Sequence, residues 1–196
     1  FFSLVYDFLV KASGISNLRT SFARRLPYFD VGHLVRSRVL ALSSLTVHYI
    51  DLWSTCIEGD GDLSWSEISP LVAPLKLSPQ WSRHTTLRSD YVRRLALLEI
   101  DVLVAKVAGL DLDQLIEIFR IYYPVLKDNE DGTWYDQNGR IVWTCSKGLP
   151  GVGFLNEKGK SPGRKEWESI LESKPAELVC TAIDDTLPDG PHTIER

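Results

Sequence analysis

Methionine is absent from the sequence, and cysteine occurs only as Cys56, Cys145 and Cys180. The cysteines are far apart and form no CxxC pair or Cys/His cluster, so their spacing supports neither a zinc motif nor a disulfide framework. Isolated thiols are typical of proteins in a reducing compartment, and we therefore expect a cytoplasmic protein. Because the chain begins with Phe1, we also expect it to be a segment of a longer protein.

Long hydrophobic runs and an excess of basic residues are also absent. The apolar opening, residues 1–10, is too short to span a bilayer and contains Asp7, so we expect no membrane partner. The net charge of −4 argues against a chain coated in nucleic acid, but it leaves room for a local basic surface. With 196 residues, 44% of them hydrophobic, the chain suits one globular domain or two small lobes.

Apolar residues recur at helical spacing along the first two thirds of the chain. Together with the capping residues beside them, they predict five helices, over residues 2–12, 18–26, 33–56, 87–108 and 112–122. Gly109 ends the fourth helix, and Asp111 with Gln114 forms a capping box for the fifth, which Pro124 closes. Since the connecting turn is so short, these last two helices make a helical hairpin.

The pattern changes its period after residue 132. Residues 133–136 and 140–144 flank Asn138-Gly139, a pair that readily adopts positive φ, and this arrangement predicts a β-hairpin. A short helix over residues 165–171 and a strand over residues 178–183 follow. The predicted fold is mainly α with a small β-hairpin or sheet element (α+β), with a helical lobe followed by a mixed C-terminal lobe.

The same pattern divides the chain into four segments. A helical segment and a proline-rich loop or hinge are followed by the two hairpins and a short mixed extension. These segments cover residues 1–57, 58–86, 87–154 and 155–196.

No group of residues has the spacing of a catalytic or metal site. The histidines are scattered, and the acidic loop at residues 58–62 does not match an EF-hand. The glycine-rich residues 148–153 match neither a Walker A loop nor a dinucleotide fingerprint. We therefore expect no catalytic residue, metal or cofactor in this chain. A Cys–His pair assembled only in the fold, and with it a self-contained hydrolase, stays open as an alternative.

Two carboxylates, Glu99 and Asp101, interrupt the most apolar predicted helix. Buried carboxylates require partners, for which Arg93, Arg94 and Arg140 are candidates. We expect a structural ion pair or a partly exposed helix edge here, with a catalytic role as the alternative.

Basic residues cluster locally although the chain as a whole is acidic. Guanidinium groups contact nucleic-acid phosphates, but runs of charge are also typical of solvated surfaces. Further groups of cations lie at residues 83–94 and 158–165. The candidate DNA-binding residues belong to the second and third predicted helices and are Arg19, Arg24, Arg25, Arg36 and Arg38.

Several motifs occur together along the second half of the chain. They are the helical pair LALLEIDVLVA and GLDLDQL at residues 95–105 and 109–115, a Tyr-Pro step, a YDxxGRIV hairpin and a KGLPGVG loop. Their positions include Glu99, Asp101, Tyr123, Pro124, Tyr135, Asp136, Gly139, Arg140 and residues 147–153. Together these motifs resemble the C-terminal region of large bacterial adenine-specific DNA methyltransferases, which belong to the fused restriction–modification class and to phage-defence systems such as BREX and DISARM.

The resemblance implies a role without chemistry of its own. The family's Asn-Pro-Pro-aromatic motif and glycine-rich S-adenosylmethionine loop are absent from the sequence, so catalysis and S-adenosylmethionine are expected in the parent enzyme. Residues 1–57 resemble the segment that closes a target-recognition region, which implies that the chain recognises or positions double-stranded DNA. The alternative is a module that docks other defence-system subunits and does not contact DNA.

Overall fold

The computed structural model describes residues 3–15, 18–57, 78–136, 139, 141–144, 158–160, 162–173 and 178–180. Within these ranges most residues are helical and three short strands form one sheet, which confirms the predicted fold class. The acidic loop at residues 58–62, most of the predicted hinge, the glycine-rich residues 148–153, Asn138, Arg140 and the tail after residue 180 lie outside the described residues.

The described residues belong to two compact units. The first comprises α1 (Leu4–Ala12), α2 (Thr20–Ala23), α3 (Gly32–Ser43), α4 (Ile50–Ile57), residues 78–87, α6 (Leu112–Tyr122) and α5 (Asp90–Val107) from Arg93 onward. The second comprises residues 88–92, α7 (Pro124–Asp131) after its first residue, the three strands and α8 (Arg164–Ser173). The predicted segment 87–154 is therefore divided between the two units.

In the first unit, helices α1 and α6 contact each other, as do α3 and α4. Hydrogen bonds connect the residues just before α5, and its first turn, to the end of α3. The Leu87 amide donates to the Ala41 carbonyl at 2.9 Å, and the Arg93 guanidinium donates to the carbonyls of Leu42 and Leu87. The core consists of buried side chains from these elements: Val5, Val35, Leu40, Ala41, Leu42, Trp53, Ile57, Leu87, Ala96, Ile100, Val104, Ala105, Leu115 and Tyr123.

The long helix predicted over residues 33–56 is wrong as a continuous element. Helix α3 ends at Ser43, and Ser44 adopts φ −85° and ψ 57°, where its carbonyl accepts a 2.8 Å hydrogen bond from the Trp81 indole. Thr46 is extended, and a 3₁₀ turn, Val47–Tyr49, precedes α4. Serine and β-branched residues favour helices only weakly, and the Trp81 bond satisfies a carbonyl at the helix end that has no donor within the helix.

The turn between α5 and α6 has the capping residues that the sequence predicts. Gly109 adopts φ +79° after α5, and the Asp111 carboxylate accepts from the Gln114 amide at 2.8 Å while the Gln114 side chain accepts from the Asp111 amide at 3.0 Å. This confirms the capping box. Pro124, which was expected only to close α6, also begins α7, since proline is well tolerated at the first helical position.

The second unit contains a three-stranded antiparallel sheet. Strand β1 (Trp134–Asp136) lies between β2 (Ile141–Trp143) and β3 (Leu178–Cys180). Val142, Trp143 and Trp167 form the buried core, and the Trp143 and Trp167 rings stack at 4.8 Å. Trp134 pairs with Trp143, the register that a two-residue turn requires, but Tyr135 pairs with Ile141 because the register shifts by one residue between them.

Candidate nucleic-acid interface

Three of the five candidate arginines flank the short helix α2. Arg19 precedes the helix, and Arg24 and Arg25 follow it, with the Arg25 amide donating to the Phe22 carbonyl at 2.8 Å. The helix predicted over residues 18–26 is shorter in the structure, and the residue before Pro27 is biased away from helical conformation. All three arginine side chains are exposed. They are therefore accessible to an anionic partner.

Helix α3 separates the other two candidates onto opposite faces. Arg36 is exposed and donates from Nε to the Gly32 carbonyl at 3.3 Å, whereas only 3% of Arg38 is exposed. Residues two positions apart on a helix point about 200° apart, so only one of them is able to face solvent. Arg38 instead shares the buried face of α3 with Val35 and Leu42.

Arg38 forms a buried ion pair with Glu99 on α5. Its Nε donates to Glu99 Oε2, its Nη1 donates to the Leu34 carbonyl at 2.8 Å, and both charged side chains are less than a tenth exposed. The candidate DNA-binding assignment of Arg38 is therefore corrected, because its guanidinium faces a carboxylate inside the first unit. The expected structural ion pair at Glu99 exists, but Arg38 was not among its predicted partners.

Asp101 stabilises the start of another helix. It is 5% exposed, and its Oδ1 accepts from the Leu4 amide at 2.6 Å, in the first turn of α1. The first amides of a helix have no partner within it and carry partial positive charge, which a carboxylate satisfies. Glu99 and Asp101 thus connect α5 to α3 and α1 and take structural roles.

A second polar group lies where α1 meets the end of α6. The Tyr123 hydroxyl donates to the Leu4 carbonyl at 3.2 Å, and Lys11 Nζ lies 3.7 Å above the Tyr123 ring while forming an ion pair with Asp7 at 3.1 Å. Burial, followed by the hydrogen bond and charge of Asp7 and the charge of Asp101, raises the pKa of Tyr123 well above its ordinary value. The phenol thus stays protonated and joins α1 to α6.

Tyr135 and Gly139, which belong to the motifs that carry the resemblance, lie in the second unit. Tyr135 is buried and meets Tyr91 edge to face at 5.3 Å. The Gly139 carbonyl accepts from the Tyr91 amide at 2.9 Å, and the Asp90 carboxylate accepts from the Ile141 amide at 3.2 Å. These bonds fasten the tip of the β-hairpin to residues 90–91. The side chains of Asp136 and Arg140 lie outside the described residues.

The part of the chain that the structure describes contains no group of three His, Cys, Asp or Glu side chains arranged to hold a metal ion. Within the same ranges no helix is both long and apolar enough to cross a membrane. His192 and Cys145 of the scattered candidates lie outside these ranges.

Sequence reasoning did not single out one exposed aromatic residue beside the arginines. The Tyr28 side chain is 88% exposed, three positions after Arg25. The signal that marks it is the close spacing of cations and an aromatic residue in Arg24-Arg25-Leu26-Pro27-Tyr28, a combination common in nucleic-acid-binding proteins. The arginines alone had been considered.

Comparisons with known proteins gave no relative of this chain. Neither a protein-family model, nor a curated protein, nor a solved structure matches it. The resemblance to adenine-specific methyltransferases accordingly stays a prediction from the sequence motifs.

Proposed function

We propose that this chain is a non-catalytic segment that recognises or positions double-stranded DNA for an adenine-specific DNA methyltransferase of restriction–modification or phage defence. The observation that supports this proposal is the exposure of four arginines of the first unit, Arg19, Arg24, Arg25 and Arg36. In this proposal the parent enzyme supplies the methylation motif and the S-adenosylmethionine site, and it removes the target adenine from the base stack.

Charge distribution supports contact with phosphates. Residues 8–50 contain six lysines and arginines but a single carboxylate, Asp30, although the whole chain carries a net charge of −4. Arg38 is buried against Glu99 and Lys11 pairs with Asp7, so the other four, all exposed arginines, carry the argument. Each phosphate that is neutralised releases condensed counterions, which gives affinity without reading the base sequence. The acidic remainder of the chain opposes this attraction, so the isolated chain binds DNA weakly and relies on the parent enzyme for affinity.

A titration of fluorescein-labelled duplex DNA tests the proposal by anisotropy. At about 50 mM salt the chain should bind with a dissociation constant on the order of 10 µM or weaker, as non-specific contacts do. Changing Arg19, Arg24 and Arg25 together to alanine should weaken binding and reduce the log–log salt slope by roughly 0.9 per lost contact. The three side chains are exposed, so the variant should keep its unfolding midpoint.

The matched control changes Lys158 and Lys160 to alanine, two exposed cations of the second unit. This variant should bind almost as the unmodified chain does. The proposal fails if neither the unmodified chain nor the triple variant binds at about 50 mM salt, or if the triple variant keeps the full salt slope.

The second candidate function is docking to another subunit of a defence system. It is favoured by apolar side chains of α6 that are largely exposed, Leu112 at 62% and Ile121 at 68%. Changing Ile121 to Asp should then abolish co-elution with the co-expressed partner subunit and leave the DNA titration unchanged. Co-elution that survives this change would remove the support that α6 gives to docking.

A further inference from the structure

The loop after α2 presents an aromatic side chain to solvent. Tyr28 is 88% exposed, the highest value among the exposed large hydrophobic residues of the described ranges, and the aromatic residues Tyr49 and Tyr122 of the same unit reach 42% and 45%. Single exposed apolar residues are common on protein surfaces. The exposure of Tyr28 therefore indicates a binding role only in combination with the anchoring of its backbone and the charges of the neighbouring residues.

The residues on both sides of Tyr28 are held by one partly buried partner, Tyr6. The Tyr6 hydroxyl donates to the Pro27 carbonyl at 3.0 Å and accepts from the Phe29 amide at 3.4 Å. The Tyr6 and Phe29 rings also meet at 5.4 Å. Proline fixes its own φ near −65°. The backbone that carries Tyr28 is therefore anchored to α1 on each side, while the Tyr28 ring itself stays in solvent.

Two arginines lie close to Tyr28 along the chain. Arg25 and Arg24 precede it by three and four residues, so their Cα atoms lie no more than about 11 and 14 Å from the Cα atom of Tyr28. Both guanidinium groups are exposed, and residues 8–29 contain no carboxylate. An anionic polymer with planar groups matches this combination, because phosphates pair with arginine and bases stack on aromatic rings.

We infer that Tyr28 stacks on an unpaired base of a nucleic acid whose neighbouring phosphates contact Arg24 and Arg25. This inference rests on the proposed function and adds a ligand class to it, DNA with a locally opened or unstacked base. Such a base arises whenever a nucleotide leaves the duplex. A ring presented on an anchored loop loses little conformational freedom on binding, which favours stacking.

Tyr28 and the two arginines contribute to the affinity for DNA in ways that a salt titration separates. Stacking on an aromatic residue contributes to affinity without releasing counterions, so its loss lowers affinity at every salt concentration and leaves the salt slope unchanged. Loss of an arginine contact lowers the slope as well. Affinity and slope therefore report Tyr28 and the arginines independently.

The test uses the complete chain and two labelled duplexes of equal length, one fully paired and one with three mismatched central bases. The unmodified chain should bind the mismatched duplex more tightly than the paired one. Tyr28→Ala should lower affinity for the mismatched duplex about tenfold, within the range known for aromatic stacking, and keep the salt slope. Tyr28→Phe should keep most of the affinity, because the ring remains.

Tyr49→Ala is the matched control, since it removes another exposed tyrosine of the same unit. It should bind both duplexes as the unmodified chain does. A fluorescent adenine analogue at the mismatch adds a direct readout, and its emission should fall on binding only when residue 28 is aromatic.

The outcomes distinguish this inference from the function on which it rests. If the chain binds both duplexes equally and Tyr28→Ala matches it, stacking is overturned while DNA binding stands, and Tyr28 then serves a protein contact or none. If the unmodified chain binds neither duplex, both proposals fall together.

Discussion

Two arginines of helix α3 show how much a residue's role depends on its helical phase. Arg36 and Arg38 carry the same charge two positions apart, yet one is exposed and the other is 3% exposed beside Glu99. The sequence held the signal for this difference, because Arg38 lies three positions after Val35 and four before Leu42 on the apolar face. A count of charges that ignores helical phase predicts that both residues lie at the surface.

Removing Glu99 should destabilise the first unit strongly. Glu99→Leu leaves the Arg38 charge buried without its counter-ion, which typically costs about 3–5 kcal/mol of unfolding free energy. The double variant Arg38→Met/Glu99→Leu should lose much less than the sum of the single changes Arg38→Met and Glu99→Leu, since neither member of the pair is then left buried without the other. Urea denaturation of the four proteins measures this coupling.

The exposed ion pair of α7 provides the control for that cycle. Lys127 and Asp131 are spaced one helical turn apart with side chains 47% and 56% exposed, so Asp131→Asn should cost less than about 1 kcal/mol. Additive losses in the Arg38/Glu99 cycle would contradict a buried, coupled pair.

Elements whose signals are local were predictable from sequence, and those set by tertiary bonds were not. The α6 capping box needs only Asp111 and Gln114, three residues apart, and its geometry is as expected. The Trp81 indole that binds the Ser44 carbonyl after α3 lies 37 residues further along the chain, and no local pattern predicts that bond. The same reasoning explains why the partner of Glu99 was not predicted.

Gly139 in the β-hairpin should be more sensitive to substitution than its turn alone requires. It adopts φ +73°, and an added Cβ would lie 3.0 Å from Tyr91 Cβ and 3.1 Å from Ser89 Oγ. Gly139→Ala therefore combines the strain of positive φ, about 1–2 kcal/mol, with crowding against residues 89–91. We expect a loss of about 2 kcal/mol or more in thermal or urea unfolding.

Gly159→Ala isolates the two causes. Gly159 has a similar φ of +66°, but an added Cβ there meets nothing within 4 Å. Its substitution should show the backbone strain alone, about 1–2 kcal/mol. Equal losses at both positions would mean that the hairpin tip yields and that its fastening to residues 90–91 contributes little.

At the scale of the whole molecule, charge is separated along the sequence. The stretch from residue 8 to residue 50 is basic, while the remainder of the chain is acidic enough to give a net charge of −4. A chain built this way suits a protein that touches an anion with one surface and is repelled by it elsewhere. In the proposed function, such a segment would orient a partner enzyme on DNA more readily than it would bind DNA alone.

The isolated chain should therefore lack the cofactor site of a methyltransferase. Its sequence contains neither a glycine-rich loop of the S-adenosylmethionine type nor an Asn-Pro-Pro-aromatic motif. A ligand present at 100 times its dissociation constant stabilises a protein by about 2.7 kcal/mol, which raises the midpoint of a chain of this size by roughly 5–10 °C. At about 1 mM S-adenosylmethionine we expect no change in the unfolding midpoint. That result would exclude a dissociation constant below about 10 µM. An established S-adenosylmethionine-dependent methyltransferase in the same buffer serves as the positive control, and a rise of about 5 °C in this chain would place a cofactor site within it.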